Sequence, residues 1–389
     1  SKLVTSPPLK LADLIDAYND TLTNILNKHA PVITKLIGSS KSNPWFTPAL
    51  HALKRARRKL ERQWKTIPSL PNLCALRKAS NCYHRAILAA KRLYNSNLIS
   101  SNSSNPRKLW KTINSLLHRS TVPSVPNISS ITSIAQQFAT FFSDKVTKLR
   151  ANIPSVTQSA HLVKPKCTPP VLDHFRFTDE VEVSKLILSC PNKQCELDPI
   201  PTSVLKQCLP ILAPTIANII NLSLSSGIFP ATFKHSIVSP LLKKPSLSKD
   251  SLTNYRPISN LSFISKLTER IVKDRMSEHL ANNSLFNTFQ SAYTKSHSTE
   301  SVLLSLHDFI TRTICRQQVT CLCLLDLSAA FDTIDHSILI DRLSSWFGFN
   351  NLALSWLTSY LSDRSFVVTS GNEKCFLLTT AVLPLLAFE

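Results

Sequence analysis

The stretch that decides the reading is Cys321-Leu-Cys-Leu-Leu-Asp-Leu-Ser-Ala-Ala-Phe-Asp-Thr-Ile-Asp-His336. It continues an apolar run from Val319 to Leu325, whose length and composition predict a buried strand. The run ends on Asp326, which places a carboxylate at the strand terminus, facing a cleft. A buried carboxylate without a partner is costly, so this one calls for a cation. Mg2+ held by one or two carboxylates plus substrate phosphates is a common solution. Asp332 and Asp335 follow at the start of a predicted helix, where either can simply stabilise its positive end. On spacing alone, Asp326 is either a metal ligand or a capping or ion-paired side chain.

Outward from this segment, the chain from about residue 171 alternates helical segments with short apolar runs such as Ser236–Leu242. That pattern predicts an α/β or α+β domain over 171–389. Before it, residues 121–170 read as a Pro/Ser linker containing one amphipathic helix, Ile134–Leu149, rich in Phe. Residues 1–120 read as a basic helical region. Helices are predicted over 9–28, about 47–65, 73–100 and 107–118, from apolar residues recurring at helical spacing.

The charge is concentrated in one place. The chain has 389 residues and a net charge of +21. Between Lys41 and Ser120 there are 17 Lys and Arg, and Glu61 is the one acid. At the centre lie Lys54, Arg55, Arg57, Arg58, Lys59 and Arg62. A helical array so dense in cations repels itself without a polyanionic partner. Nucleic-acid phosphate fits, bound with little regard to sequence through counterion release; a merely solvated helix face is the bland alternative, and an anionic membrane surface a weaker one, because the apolar faces resemble ordinary helix-packing faces.

Composition excludes other classes. With 43% hydrophobic residues the chain is no disordered polycation. Its four glycines, at 38, 227, 348 and 371, make no glycine-rich phosphate loop. Ten scattered cysteines make no C-x2-C pair and no zinc spacing, which suits free thiols in a reducing compartment. The most apolar stretch, Leu209–Leu224, is interrupted by Pro210, Pro214, Asn218 and Asn221, so no membrane partner is expected. No signal-peptide core opens the sequence, and a nuclear or cytoplasmic location is expected.

The 321–336 segment closely resembles motif A of reverse transcriptases, in the form found in LINE-type (non-LTR) retrotransposons. Further segments resemble the same family in the same order. Leu197-Asp-Pro-Ile-Pro-Thr202 and Gly227-Ile-Phe-Pro230 resemble the region before the fingers. Pro240-Leu-Leu-Lys-Lys-Pro245 with Asn254-Tyr-Arg-Pro-Ile-Ser259 resembles the first fingers motif, and Gln290–Glu300 the second. Trp356-Leu-Thr-Ser-Tyr-Leu-Ser-Asp-Arg364 resembles the segment after motif A. Asn43-Pro-Trp-Phe46 and the basic helices resemble the stretch between the family's endonuclease and polymerase.

The resemblance implies an α+β fold: a basic helical region followed by a partial right-hand polymerase, fingers and the start of the palm. It implies RNA-directed DNA polymerisation, with an RNA template, a DNA primer, dNTP and Mg2+. Asp326 is implied as the catalytic, metal-binding carboxylate, and the Leu327 carbonyl as a further ligand. Phe331 matches the ring under the incoming sugar; an ordinary core aromatic is the other reading. Arg256 matches the arginine that grips the triphosphate, with Lys243, Lys244 and Lys249 beside it; a solvated lysine is an equal reading for each of the three.

The sequence also departs from the family. No Asp-Asp pair occurs in the 389 residues, and Thr294 stands where the family usually has Arg. Thr380–Glu389 resembles only the apolar end of motif B. These residues alone are therefore expected to be inactive, and a truncated palm is expected to leave a sheet edge unpaired after the motif A strand. The alternatives are a non-enzymatic nucleic-acid-binding remnant acting through the basic helices, or a protein-interaction remnant.

Overall fold

The structure is a computed structural model that describes residues 3, 6–33, 43–117, 133–151, 169–193, 195–244, 246–326, 330–331, 333–370 and 373–377. The chain divides into two compact units, residues 33–124 and residues 1–32 with 125–389.

The smaller unit is helical. α2 (Pro48–Thr66), α3 (Leu70–Ser101) and α4 (Pro106–Leu116) follow one another. α1 (Leu11–His29) precedes them in sequence but belongs to the larger unit. The three starts are written locally. Thr47, Ser69 and Asn105 each turn a side-chain oxygen to a backbone N–H of the first turn, and a proline follows within two residues. A capping oxygen satisfies a donor that has no partner in the helix, and proline is tolerated there because its missing N–H costs nothing. All the predicted helices of residues 9–118 are present within a few residues of their expected ends.

In the larger unit α1, α6 (Glu180–Ser189), α7 (Thr202–Gln207), α8 (Leu209–Ser226), α9 (Phe263–Asn282), α11 (His336–Ser345) and α12 (Asn351–Leu361) surround one apolar cluster. α5 (Ile134–Ala151) covers a sheet, and α10 (Thr299–Cys315) buries none of its residues. So α1, grouped with the basic helices on sequence, instead buries Leu14, Ile15, Tyr18 and Leu22 in the larger core. α8 is apolar and long enough to cross a membrane by length and composition. Here Ile216, Ile219 and Ile220 are sealed in protein, and Gly227 ends the helix at φ 64°. That left-handed stop is one glycine makes without strain. Ser355 donates to the Gly227 carbonyl at 3.2 Å, and Phe229, two residues on, packs on Trp356 and Tyr360 with ring centroids 5.3 and 5.1 Å away.

The sheet has the order β2-β1-β3-β4, from β1 (His235–Leu242), β2 (Tyr255–Asn260), β3 (Ser365–Ser370) and β4 (Glu373–Leu377). β1 and β2 are antiparallel, with Leu241 opposite Arg256; β1 and β3 are parallel; β3 and β4 are antiparallel. Phe138 and Phe142 of α5 pack on Tyr255, Val238, Phe366 and Val368.

The expected strand over Val319–Leu325 is absent. Residues 318–326 have no regular secondary structure, and Val319, Leu324 and Leu325 are 97, 82 and 89% exposed. An apolar run becomes a strand only with a ladder partner, and among the described residues none pairs with it. The unpaired edge expected after that strand is likewise not found there.

Gly348 offers a local test. Its φ is +76°, and a Cβ there would lie 2.1 Å from the Pro170 carbonyl oxygen. Strain and a backbone clash act together. Gly348→Ala is expected to destabilise the larger unit by about 2 kcal/mol or more, read as a lowered denaturant midpoint. An unchanged midpoint would mean that this loop shifts at no cost.

Candidate active site and nucleic-acid interface

The cations of the first fingers motif come together on one hairpin. Arg256, second residue of β2, is exposed. The Lys243 ammonium donates to the Thr253 carbonyl at 2.7 Å, and its backbone N–H to the Asn254 carbonyl at 2.8 Å. The Lys249 carbonyl accepts from the Tyr255 hydroxyl at 2.9 Å, while the Lys243, Lys244 and Lys249 side chains face solvent. Four cations thus share the end of the β1–β2 hairpin, an arrangement suited to an anionic ligand. Of these, Arg256 presents the planar fork that matches phosphate oxygens.

Asp326 and Phe331 lie on the irregular segment between α10 and α11. Asp326 is exposed and Phe331 is 38% exposed. No hydrogen bond or ion pair among the described residues joins either to the hairpin cations. Leu327 and Asp332 lie outside the described residues, as do residues 378–389 with the motif B resemblance. Asp335 takes the capping role left open by its spacing. Its carboxylate accepts from the N–H of Ser337 at 2.8 Å and of Ile338 at 3.1 Å, and the Ser337 hydroxyl bond leads in holding its pKa low.

A two-ion phosphoryl-transfer site needs carboxylates on both sides of the ions. Among the described residues no group of three or more His, Cys, Asp or Glu is placed to hold a metal. Asp326 brings a single carboxylate, so the described residues do not assemble that site.

Two polar clusters of the larger unit were not foreseen on sequence. Asp198 of the Leu197–Thr202 motif accepts from the Phe263 N–H at 2.6 Å, at the start of α9. It lines a cavity of about 40 Å3 with Tyr18, Thr202 and Ser262, and burial pushes its carboxyl up. The second cluster centres on Glu269. Arg364, which closes the Trp356–Arg364 segment, lies over the Tyr360 ring at 4.5 Å and places Nη2 3.7 Å from Glu269 Oε1. Glu269 is 5% exposed, and Oε1 has no hydrogen bond. Burial raises its pKa from 4.5 to about 7 against the opposing pull of Arg364.

A carboxyl raised in the folded state adds stability that is complete below its unfolded value of 4.5 and lost as the pH climbs through about 7. Glu269→Gln keeps the shape without the charge. It is expected to gain about 3 kcal/mol over wild type near pH 8 and nothing at pH 4, since each pKa unit is worth about 1.4 kcal/mol. Denaturant unfolding at the two pH values measures it. Equal effects at both would mean that Glu269 stays ionised on Arg364 throughout.

In the smaller unit the six central cations separate into two groups. Lys54 stands 5.6 Å over the Phe46 ring, and Arg57 lies 5.7 Å over Tyr83 and 3.6 Å from Glu61. Lys91 of α3 covers Trp45 at 4.7 Å. Arg55, Arg58, Lys59 and Arg62 are exposed.

Residues 242–385, which include the hairpin arginine, Asp326 and the Trp356–Arg364 segment, match the family described as reverse transcriptase (RNA-dependent DNA polymerase). Over these residues the chain is similar to reverse transcriptases. It is 30% identical over 194 residues to a Drosophila melanogaster protein named probable RNA-directed DNA polymerase from transposon BS. That match covers 49% of this chain and 21% of the relative. Divalent-metal dependence, a nucleic-acid template and primer, and nucleotide substrates are general properties of reverse transcriptases. The mixed helical and sheet architecture agrees with the α+β class expected from the sequence.

Proposed function

We propose that this chain supplies the fingers and the first part of the palm of an RNA-directed DNA polymerase from a non-LTR retrotransposon. The observation that carries the reading is the continuous family match over 242–385, with Asp326 inside it. In this reading Arg256 holds the triphosphate of an incoming dNTP, helped by Lys243, Lys244 and Lys249, and Phe331 packs under its sugar. Asp326 and the Leu327 carbonyl are ligands for Mg2+, which when bound neutralises charge on the phosphates. The partners are an RNA template and a DNA primer, and the second carboxylate set must be brought by further sequence. The test is primer extension on an RNA template, by the 389 residues and by the same chain joined to a family-type motif B, Asp-Asp hairpin and thumb. Product from the joined chain that depends on Asp326 supports the reading; product that does not depend on it defeats it.

A second reading is supported by the exposed cations of α2. Through residues 41–120 the chain binds nucleic acid without sequence preference, whether or not the polymerase part is active. Loss of binding as salt is raised is the expected signature.

A further inference from the structure

We infer that the basic unit contacts a nucleic-acid duplex through two rows of cations, one on α2 and one on α3, and that its remaining central cations are internal struts. This rests on the proposed nucleic-acid binding through residues 41–120 and narrows it to particular residues and one form of ligand.

The rows follow from helical geometry. Arg55, Arg58, Lys59 and Arg62 stand at i, i+3, i+4 and i+7 of α2, so they share one face. All four are exposed, whereas Leu53, Lys54, Arg57, Leu60, Glu61 and Trp64 on the other face are partly covered. At 1.5 Å per residue the row is about 10 Å long. On α3, Lys78, Arg85 and Arg92 recur every seven residues and are exposed as well. They make a second row about 21 Å long on a continuous helix. Among the described residues, none of these seven cations has an ion pair or an aromatic ring as partner. Each therefore keeps its full charge for an outside ligand. Lys54 and Arg57 differ: each is partly covered and lies on a ring of the same unit, where it contributes packing as well as charge.

The same ring contacts argue for a duplex. Proteins that hold single strands stack bases on aromatic side chains. Trp45, Phe46 and Tyr83 already carry cations of this unit, and Trp64 and Tyr94 are partly covered. The two rows thus offer charge without a stacking surface. Cations fixed on stiff helices match phosphates that are already fixed, as in a duplex, whereas a single strand would have to be ordered first, at an entropic cost. Trp110 of α4, 62% exposed between Lys108 and Lys111, is the ring through which a single strand would bind instead.

The experiment uses the whole 389-residue chain and a labelled DNA duplex of mixed sequence, titrated over a range of salt, with a single strand of the same sequence as competitor. In R55Q/R58Q/K59Q/R62Q the slope of log K against log salt is expected to flatten by about 3.6, at about 0.9 for each phosphate that is no longer neutralised. K78Q/R85Q/R92Q is expected to flatten it by about 2.7 on the same scale. K54Q/R57Q is expected to keep the wild-type slope while lowering the thermal midpoint of the unit. Circular dichroism establishes that each variant is helical. A wild-type slope in both row variants, with duplex binding intact, overturns the rows and leaves nucleic-acid binding by residues 41–120 standing. Preference for the single strand, weakened by W110A, overturns the duplex. No binding of any nucleic acid overturns the binding role of this unit altogether.

Discussion

Asp326→Asn should abolish primer extension by the chain joined to a family-type motif B, Asp-Asp hairpin and thumb, and the 389 residues by themselves should extend nothing. Both results come from the same electrostatics. Phosphoryl transfer asks little covalent chemistry of a protein. It depends on positioning and on neutralising charge at the attacking and leaving oxygens. Asp326 offers one carboxylate from an exposed, irregular segment, and among the described residues no group of three or more His, Cys, Asp or Glu is placed to hold a metal. Asparagine keeps the size of the side chain and removes the charge, so the loss should be about 10^3-fold or more, the scale on which single charge-stabilising groups act in such reactions. Incorporation of labelled dNTP on an RNA template reads both outcomes. Extension by the isolated chain above a no-protein control would reveal a second carboxylate set within these residues. Extension surviving Asp326→Asn would move the catalytic carboxylate elsewhere.

What the sequence made legible was what is locally encoded. Thr47-Pro48 and Asn105-Pro106 announce helix starts through groups a residue or two apart, and the apolar spacing along α2 and α3 carries the rest. The Ser236–Leu242 run became β1 because Tyr255–Asn260 and Ser365–Ser370 flank it. Val319–Leu325 has an equally apolar composition and no such neighbours. Composition reports the taste of a segment for burial, while pairing depends on residues far away in sequence. The hairpin cations were legible because Arg256 and the lysines sit in short ordered motifs. Glu269, Asp198 and Arg275 were not. Each is a single charge in an amphipathic or turn context, where solvent is the usual destination, and only the packing around it shows otherwise. A usable signal did exist for Glu269: Leu267 precedes it and Ile271 and Val272 follow, which leaves little room for a solvated face.

Arg275→Ala should cost the larger unit about 3–5 kcal/mol, the usual penalty for leaving one member of a buried pair behind. Arg275 is 6% exposed on α9, and its fork meets Glu182 of α6 through Nη1–Oε1 at 2.8 Å and Nη2–Oε2 at 2.5 Å. Its Nε donates to the Arg176 carbonyl at 3.2 Å. Alanine removes all three donors at once and leaves a partly buried carboxylate whose other side-chain donor is Thr178, at 2.8 Å. The pH dependence distinguishes this loss from a mere cavity. The hydrogen bonds of Arg275 are the largest influence holding the Glu182 carboxyl below its usual 4.5. A depressed carboxyl contributes stability that is present above 4.5 and lost as the pH falls through the folded value. Wild type should therefore lose stability on that acid limb, and Arg275→Ala should lose much less there. Glu269 works with the opposite sign in the same unit, so the two together should confine maximum stability to mildly acidic pH. An E182M/R275M chain supplies the control: two apolar side chains of matched length strand no charge, and it should unfold at a higher denaturant concentration than Arg275→Ala. If the double variant is the weaker, or if the acid limb of Arg275→Ala matches wild type, the tie between α6 and α9 rests on packing and not on this pair.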